Sequence, residues 1–150
     1  ITGAPEVLAA HKGVPVYIAE ADKACLTDPR ENLSAALMMP FVTEVTETLD
    51  LPSGGEMTID GSVWRILDTS GHSPGGRSFY CPAVGQVIVG DALFQMSIGR
   101  VDFHHSDGER LLRNIRENLF TLPDDTEVLC GHGPTTTIGE EQQYNPFLQM

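Results

Sequence analysis

The sequence predicts an α/β fold, a mixed sheet with helices packed on it. Three observations predict it. Short β-rich runs and helical patterns follow one another along the chain. Asp60-Gly61 is a two-residue turn signal between β-formers, which marks a hairpin. Leu111, Leu112, Ile115, Leu119 and Leu122 recur at helical spacing, so one helix turns an apolar face to a core.

Taken in order, Ala4-Pro5-Glu6 opens a helix that runs to about Lys12. Proline suits a first helical turn, and Gly13 supplies the stop. Residues 14–19, VPVYIA, are apolar throughout, as in a strand covered on both faces. Residues 31–39, ENLSAALMM, read as a short helix ending before Pro40. The hairpin covers 55–70. RSFYCP and GQVIVGD are two further strands joined through 83–85. Ser106 and Glu109 have the spacing of a capping box at the head of the leucine-rich helix. TEVLCG at 126–131 is a last strand, and IGEEQQYNPF gives a terminal helix stopped before Pro146. No repeat, linker or low-complexity tract interrupts the 150 residues, which fit one domain.

Composition narrows the function. A net charge of −12 disfavours nucleic acid and anionic membranes as partners, since both attract basic surfaces. No apolar run is long enough to span a bilayer. Cys25, Cys81 and Cys130 are odd in number and far apart, which suggests free thiols in a reducing, cytoplasmic setting.

The chemistry concentrates in three turns beside strands, which carry His72, Asp91 and His132. Gly71-His72-Ser73-Pro74-Gly75 fits the G-x-S-x-G pattern of serine hydrolases, with an aspartate and His132 downstream. Pro74 defeats that reading. The oxyanion hole needs the N–H of the residue after the nucleophile, and proline has none. The metal reading fits better. Imidazole and carboxylate suit Zn²⁺, Fe²⁺ or Mn²⁺, and flanking glycines let the chain turn tightly enough to aim a ring into a cleft. Asp91 closes a strongly apolar strand, where a carboxylate is costly unless paired or bound to metal. His11 reads as a surface residue, and His104-His105 as solvated loop residues. Cys130 reads as a strand-end residue rather than a ligand.

TSGHSPGG, VIVGDALF, SIGRVDF and EVLCGHGPTTTIGEEQQYNPF together resemble the metallo-β-lactamase superfamily, in particular its glyoxalase II-like hydrolases. The resemblance implies an αββα sandwich with a dinuclear metal site. His72 would bind the first cation, Asp91 would bridge both and serve catalysis, and His132 would bind the second. Zinc is the first choice, with iron or manganese as alternatives. A hydroxide held by the metals would attack a thioester, for instance one derived from glutathione. Arg100 would contact the carboxylate of such a substrate. Ser70 and Cys130 stand where the family often has proline. The family's H-x-H-x-D-H motif does not occur in these residues. The resemblance places Ile1 just after it, so the sequence is expected to be an N-terminally truncated portion, missing the N-terminal strands and inactive by itself. A sulfur dioxygenase with one iron is the alternative activity, because its relatives share a loop like Gly99–Phe103. A non-enzymatic binding domain is the other alternative.

Overall fold

The computed structural model describes residues 3–45 and 47–149. Its backbone groups into two compact units that divide between Leu51 and Pro52.

In the first unit, helix α1 spans Ala4–Ala10 with Pro5 in its first turn. Strand β1 is only Tyr17–Ile18, and it pairs in parallel with β2, Leu49–Asp50. The strand expected over 14–19 is thus shortened, and Tyr17 is exposed. Pro15 accounts for the loss, since it offers no N–H to a partner strand. A 3-10 turn at Glu20–Asp22 leads into α2, Ala24–Thr27.

The helix expected over 31–39 does not form. Successive turns replace it, with Leu33 and Met38 at φ of 64° and 58°. Asn32 supplies the reason. Its amide donates to the carbonyls of Cys25 and Phe41, each at 2.9 Å, and its oxygen accepts from the Ser34 N–H at 3.0 Å. Short polar side chains have captured backbone groups that a helix needs for itself.

The second unit holds the expected hairpin, β3 (Glu56–Ile59) and β4 (Ser62–Asp68), turning at Asp60-Gly61. Both turn residues have positive φ, 47° and 79°, as the tightest hairpin turn requires. Strands β5 (Arg77–Cys81) and β6 (Gln86–Gly90) follow antiparallel. A small hairpin comes next, β7 (Leu93–Phe94) with β8 (Ser97–Ile98). Helix α3 covers Gly108–Asn114 and widens into a π turn over Ile115–Leu119. β9 (Glu127–Cys130) returns parallel to β6, β10 (Thr136–Thr137) pairs with β9, and α4 (Ile138–Tyr144) closes the unit. The six-stranded sheet has the order β10-β9-β6-β5-β4-β3.

The cap of α3 falls one residue later than the expected capping box. Asp107 accepts from the Arg110 N–H at 2.9 Å. Ser106 is free for another task, described below.

One sheet face carries Tyr80, Val87 and Val128, packed against Leu111, Ile115, Leu119 and Ile138. Leu111, Ile115 and Leu119 are completely buried. Each contributes ~1.5–3 kcal/mol relative to an exposed position. The register puts Met57, Trp64, Ile66, Phe79, Ile88 and Leu129 on the other face. A sheet that is apolar on both faces belongs in the middle of a layered fold.

Candidate metal centre

β4, β6 and β9 run in the same direction, because β4 and β6 both lie antiparallel to β5 and β6 is parallel to β9. Their C-terminal ends share one edge of the sheet. The segments leaving those ends carry His72, Asp91 and His132.

The turn after β4 is fixed from beneath. Ser70 is fully buried, and its N–H and hydroxyl donate to Asp68 Oδ1 at 2.9 and 2.5 Å. Arg77 Nη1 adds a contact to the same oxygen at 3.3 Å. From α3, Asn114 Nδ2 donates to the Ser70 carbonyl at 2.9 Å and to its hydroxyl oxygen at 3.1 Å. Asn118 Nδ2 donates to the Asp68 carbonyl at 2.8 Å. Burial by itself pushes the Asp68 carboxyl up. The hydrogen bonds from Ser70 and the nearby Arg77 and Arg110 outweigh it, so the group is held below the usual carboxylate value.

Gly71 then lies directly on α3. Its φ is 139°, and a Cβ there would overlap the backbone of Leu111. Its carbonyl accepts from the Asp107 N–H at 2.7 Å. The next residue, His72, is gripped at two points. Ser106 Oγ donates to its carbonyl at 2.7 Å, which is the use made of the serine expected to cap the helix. Its ring Nδ1 lies 2.8 Å from the Arg100 carbonyl. A carbonyl only accepts, so Nδ1 carries the ring proton and Nε2 presents a lone pair.

That Nε2 sits 3.8 Å from Asp91 Oδ2. His132 Nε2 approaches the same oxygen at 3.3 Å. The ring of Phe94 stacks against His132 with centroids 6.1 Å apart, and Phe103 meets His72 edge-on at 5.8 Å. Gly131 passes so close to Asp91 that a Cβ would overlap Oδ1. The side chains of His72 and Asp91 are about one-third exposed, while His132 is 79% exposed. A cavity of about 440 Å³ opens beside His72 and Asp91, lined also by Ser73, Arg77 and Gly90.

The three residues singled out in the sequence are therefore brought together. The donor set suits a cation. The His72 lone pair and the Asp91 carboxylate are both acceptors, and a cation between them turns their repulsion into attraction. Two ligands ~2.0–2.1 Å from a tetrahedral zinc stand about 3.4 Å apart, close to the 3.3 Å between His132 and Asp91.

The remaining candidates lie elsewhere. Arg100 turns its fork onto Asp102, at 2.9 and 2.8 Å, with its guanidinium 4.8 Å from the Phe103 ring centre. Both partners are exposed. His11 is exposed at the end of α1, and the rings of His104 and His105 meet each other at 4.6 Å. Cys130 ends β9, and its thiol sits 2.9 Å from the His132 carbonyl. The three cysteines are free thiols. No helix among the described residues is long and apolar enough to cross a membrane. Sequence reasoning missed Asn114, Ser106, Phe94 and the Arg100 carbonyl. Their partners are 28 to 44 residues away in most cases, and no local pattern marks them.

The chain is similar to known proteins over most of its length. A family model described as the metallo-beta-lactamase superfamily matches residues 1–132, across both units. The probable metallo-hydrolase YqgX of Bacillus subtilis is 42% identical over 135 residues, covering 90% of this chain and 64% of YqgX. The hydroxyacylglutathione hydrolase GloC of Haemophilus influenzae is 34% identical, covering 97% of this chain and 69% of GloC. The chain thus spans about two-thirds of the length of these relatives. The crystal structure of BLEG-1, a B3 metallo-beta-lactamase, superposes with a TM-score of 0.87 at 35% identity, covering 99% of this chain and 71% of that one. TTHA1623 in a di-iron-bound form gives 0.83 at 33% identity, covering 97% and 70%. The α/β architecture read from the sequence is that of these proteins, and the chain belongs to the metallo-β-lactamase superfamily.

Proposed function

We propose that the chain is the larger part of a metal-dependent thioester hydrolase of glyoxalase II type, with His72, Asp91 and His132 among its metal ligands. One observation carries the reading: two imidazole nitrogens from separate turns converge on a single carboxylate oxygen at the rim of an open cavity. The name of GloC supports a glutathione thioester as substrate, and the di-iron form of TTHA1623 supports a two-cation site. Both units would form one domain, since the family model runs across them.

Divalent cations held here, zinc first and iron or manganese as alternatives, would supply Lewis acidity and lower the pKa of water. The chain's own residues do the rest. Asp91 offers two oxygens and so can serve two cations at once. The Arg100 carbonyl keeps the neutral ring's proton on Nδ1, which directs the Nε2 lone pair toward Asp91. Phe94 and Phe103 back the two rings with apolar surface. The acidic surface and free cysteines fit a small-molecule substrate in the cytoplasm better than a nucleic acid.

The test uses the protein expressed from its complete coding sequence. Metal content is measured by elemental analysis, and thiol release from an acyl-glutathione thioester is followed by colorimetry. Asp91→Ala should lose metal and lower kcat/KM by at least about a thousandfold, since the site loses its shared ligand. Full metal retention with unchanged kcat would make Asp91 a turn residue. Turnover of a β-lactam but no thioester would reassign the substrate. One iron per chain with persulfide-dependent O₂ uptake would reassign the protein to the sulfur dioxygenases.

A further inference from the structure

Glu141 is a buried carboxylate that the site described above does not use. It is completely buried, as is Asn145, the residue that follows the end of α4. A charge in such a place is costly unless several donors meet it. Three do. Its Oε2 accepts from the Met96 N–H at 2.9 Å and from Asn145 Nδ2 at 2.7 Å, and its Oε1 accepts from Thr136 Oγ1 at 2.6 Å. Asn145 Nδ2 also donates to the Ser97 carbonyl at 3.0 Å. Both residues therefore hold the tip of the β7–β8 hairpin, 45 and 48 residues away in sequence.

That hairpin and the residues flanking it reach every member of the candidate centre. Asp91 lies two residues before its first strand. Phe94, within β7, stacks on the ring of His132. Arg100 lies two residues beyond β8, and its carbonyl accepts a hydrogen bond from the His72 ring Nδ1–H. The Gly99 N–H closes the base of the hairpin on the Ala92 carbonyl at 3.3 Å. Met96 at its tip has φ of 58°, a conformation that a bulky residue keeps only when the surroundings hold it there.

We propose that Glu141, with Asn145, is a positioning residue for the metal centre: it locks the β7–β8 hairpin and through it sets the orientation of His72 and His132. The proposal rests on the metal reading of these residues. The role depends on acceptor geometry rather than on charge. A glutamine in this place keeps one oxygen for Met96 and Asn145 and turns its amide toward the Thr136 oxygen, which leaves all three contacts in being.

The experiment compares Glu141→Ala, Glu141→Gln and the core variant Ile115→Val with the wild type, each expressed from the complete coding sequence. Three quantities are read: zinc affinity by competition with a chromogenic chelator, the d–d spectrum of the cobalt(II)-substituted protein, and hydrogen exchange at the Met96 amide. Glu141→Ala should weaken zinc binding about tenfold or more, change the cobalt spectrum and speed Met96 exchange, as loss of an outer support does. Glu141→Gln should stay within about threefold of wild type with an unchanged spectrum. Ile115→Val lowers stability through the core it shares with Leu93 but removes no hydrogen bond to the hairpin, and should leave zinc affinity unaltered. If Glu141→Ala does not fold, Asn145→Ala severs the Ser97 tie and one of the bonds to Glu141 but leaves the Met96 and Thr136 contacts, and should show the same loss in milder form. Wild-type affinity and spectrum in the folded alanine variants would overturn the proposal, and so would an equal loss in Ile115→Val. If the wild type binds no cation, the metal reading fails. Met96 exchange then decides the hairpin lock by itself, with fast exchange in Glu141→Ala but not in Ile115→Val upholding it and equal rates overturning it.

Discussion

Removal of the Asn114 amide separates what holds the His72 turn from what merely lies near it. Asn114 is 7% exposed, and the Ser70 residue it serves is fully buried. In Asn114→Ala the Ser70 hydroxyl keeps its bond to Asp68, but the Ser70 carbonyl loses its amide donor. A buried acceptor left unpaired costs about 1–3 kcal/mol, and the small void left by the amide adds to that. The expected loss is therefore about 2–3 kcal/mol. In urea unfolding the midpoint should fall with the slope unchanged, because the native fold is the same. In a chain of this size the thermal midpoint should drop by about 5–10 °C. Asn118→Ala is the internal comparison. Asn118 is only half-buried and donates to the Asp68 carbonyl, where water can take its place, so it should cost about 1 kcal/mol. Equal losses for the two asparagines, or less than about 1 kcal/mol for Asn114→Ala, would refute the view that the buried Asn114 amide outweighs the half-buried one in holding the turn.

Two further outcomes follow from neighbouring residues. Asp68 is held below the usual carboxylate value in the folded chain, so the stability it supplies is fully present above about pH 4 and is lost as the pH falls through its lowered native value. Asp68→Asn should flatten that acid limb of the stability curve in urea titrations from pH 6 to pH 2, and an unchanged limb would assign the acid sensitivity to other groups. Gly131→Ala should push Asp91 out of place and weaken zinc binding by about tenfold or more in a chelator competition, whereas an affinity equal to wild type would show that Asp91 has room to move.

These residues also mark how far the sequence can be read. The hairpin at Asp60-Gly61 was legible because two positive-φ residues between β-formers leave few alternatives. The leucine-rich helix was legible because its period is local, even though the cap moved from Ser106 to Asp107. His72, Asp91 and His132 stood out because each sits in or beside a glycine turn. The segments that misled were those where a side chain outbid the backbone. Residues 31–39 have helical composition, but Asn32 takes the carbonyls on either side of them. The β7–β8 hairpin was invisible, since two-residue strands carry no period and its tip is held by Glu141, 45 residues away. Local patterns report local energies, and the supports of this centre are long-range hydrogen bonds.

Arg100 poses the sharpest remaining question, because its backbone and its side chain face different tasks. The carbonyl holds the His72 ring, and no side-chain substitution removes it. The guanidinium forks onto Asp102 with near-ideal bidentate contacts, yet both groups are largely exposed. The hydrogen bond from Arg100 is the main cause that holds the Asp102 carboxyl below its usual value. An exposed pair of this kind contributes little to stability, so the fork can be traded for another carboxylate. A glutathione thioester carries carboxylates, and a guanidinium binds them bidentately. If Arg100 makes that exchange, Asp102 competes with substrate. Asp102→Asn should then lower KM by about twofold to fivefold, while Arg100→Ala raises it about tenfold with kcat little changed, as expected when uniform binding is gained or lost. Arg100→Lys should recover part of the loss, since an ammonium keeps the charge but not the fork. All three variants should unfold at a urea concentration close to that of the wild type. A KM unmoved in Arg100→Ala and Asp102→Asn alike would leave the pair as a brace for the loop and point to a substrate without a carboxylate near Arg100.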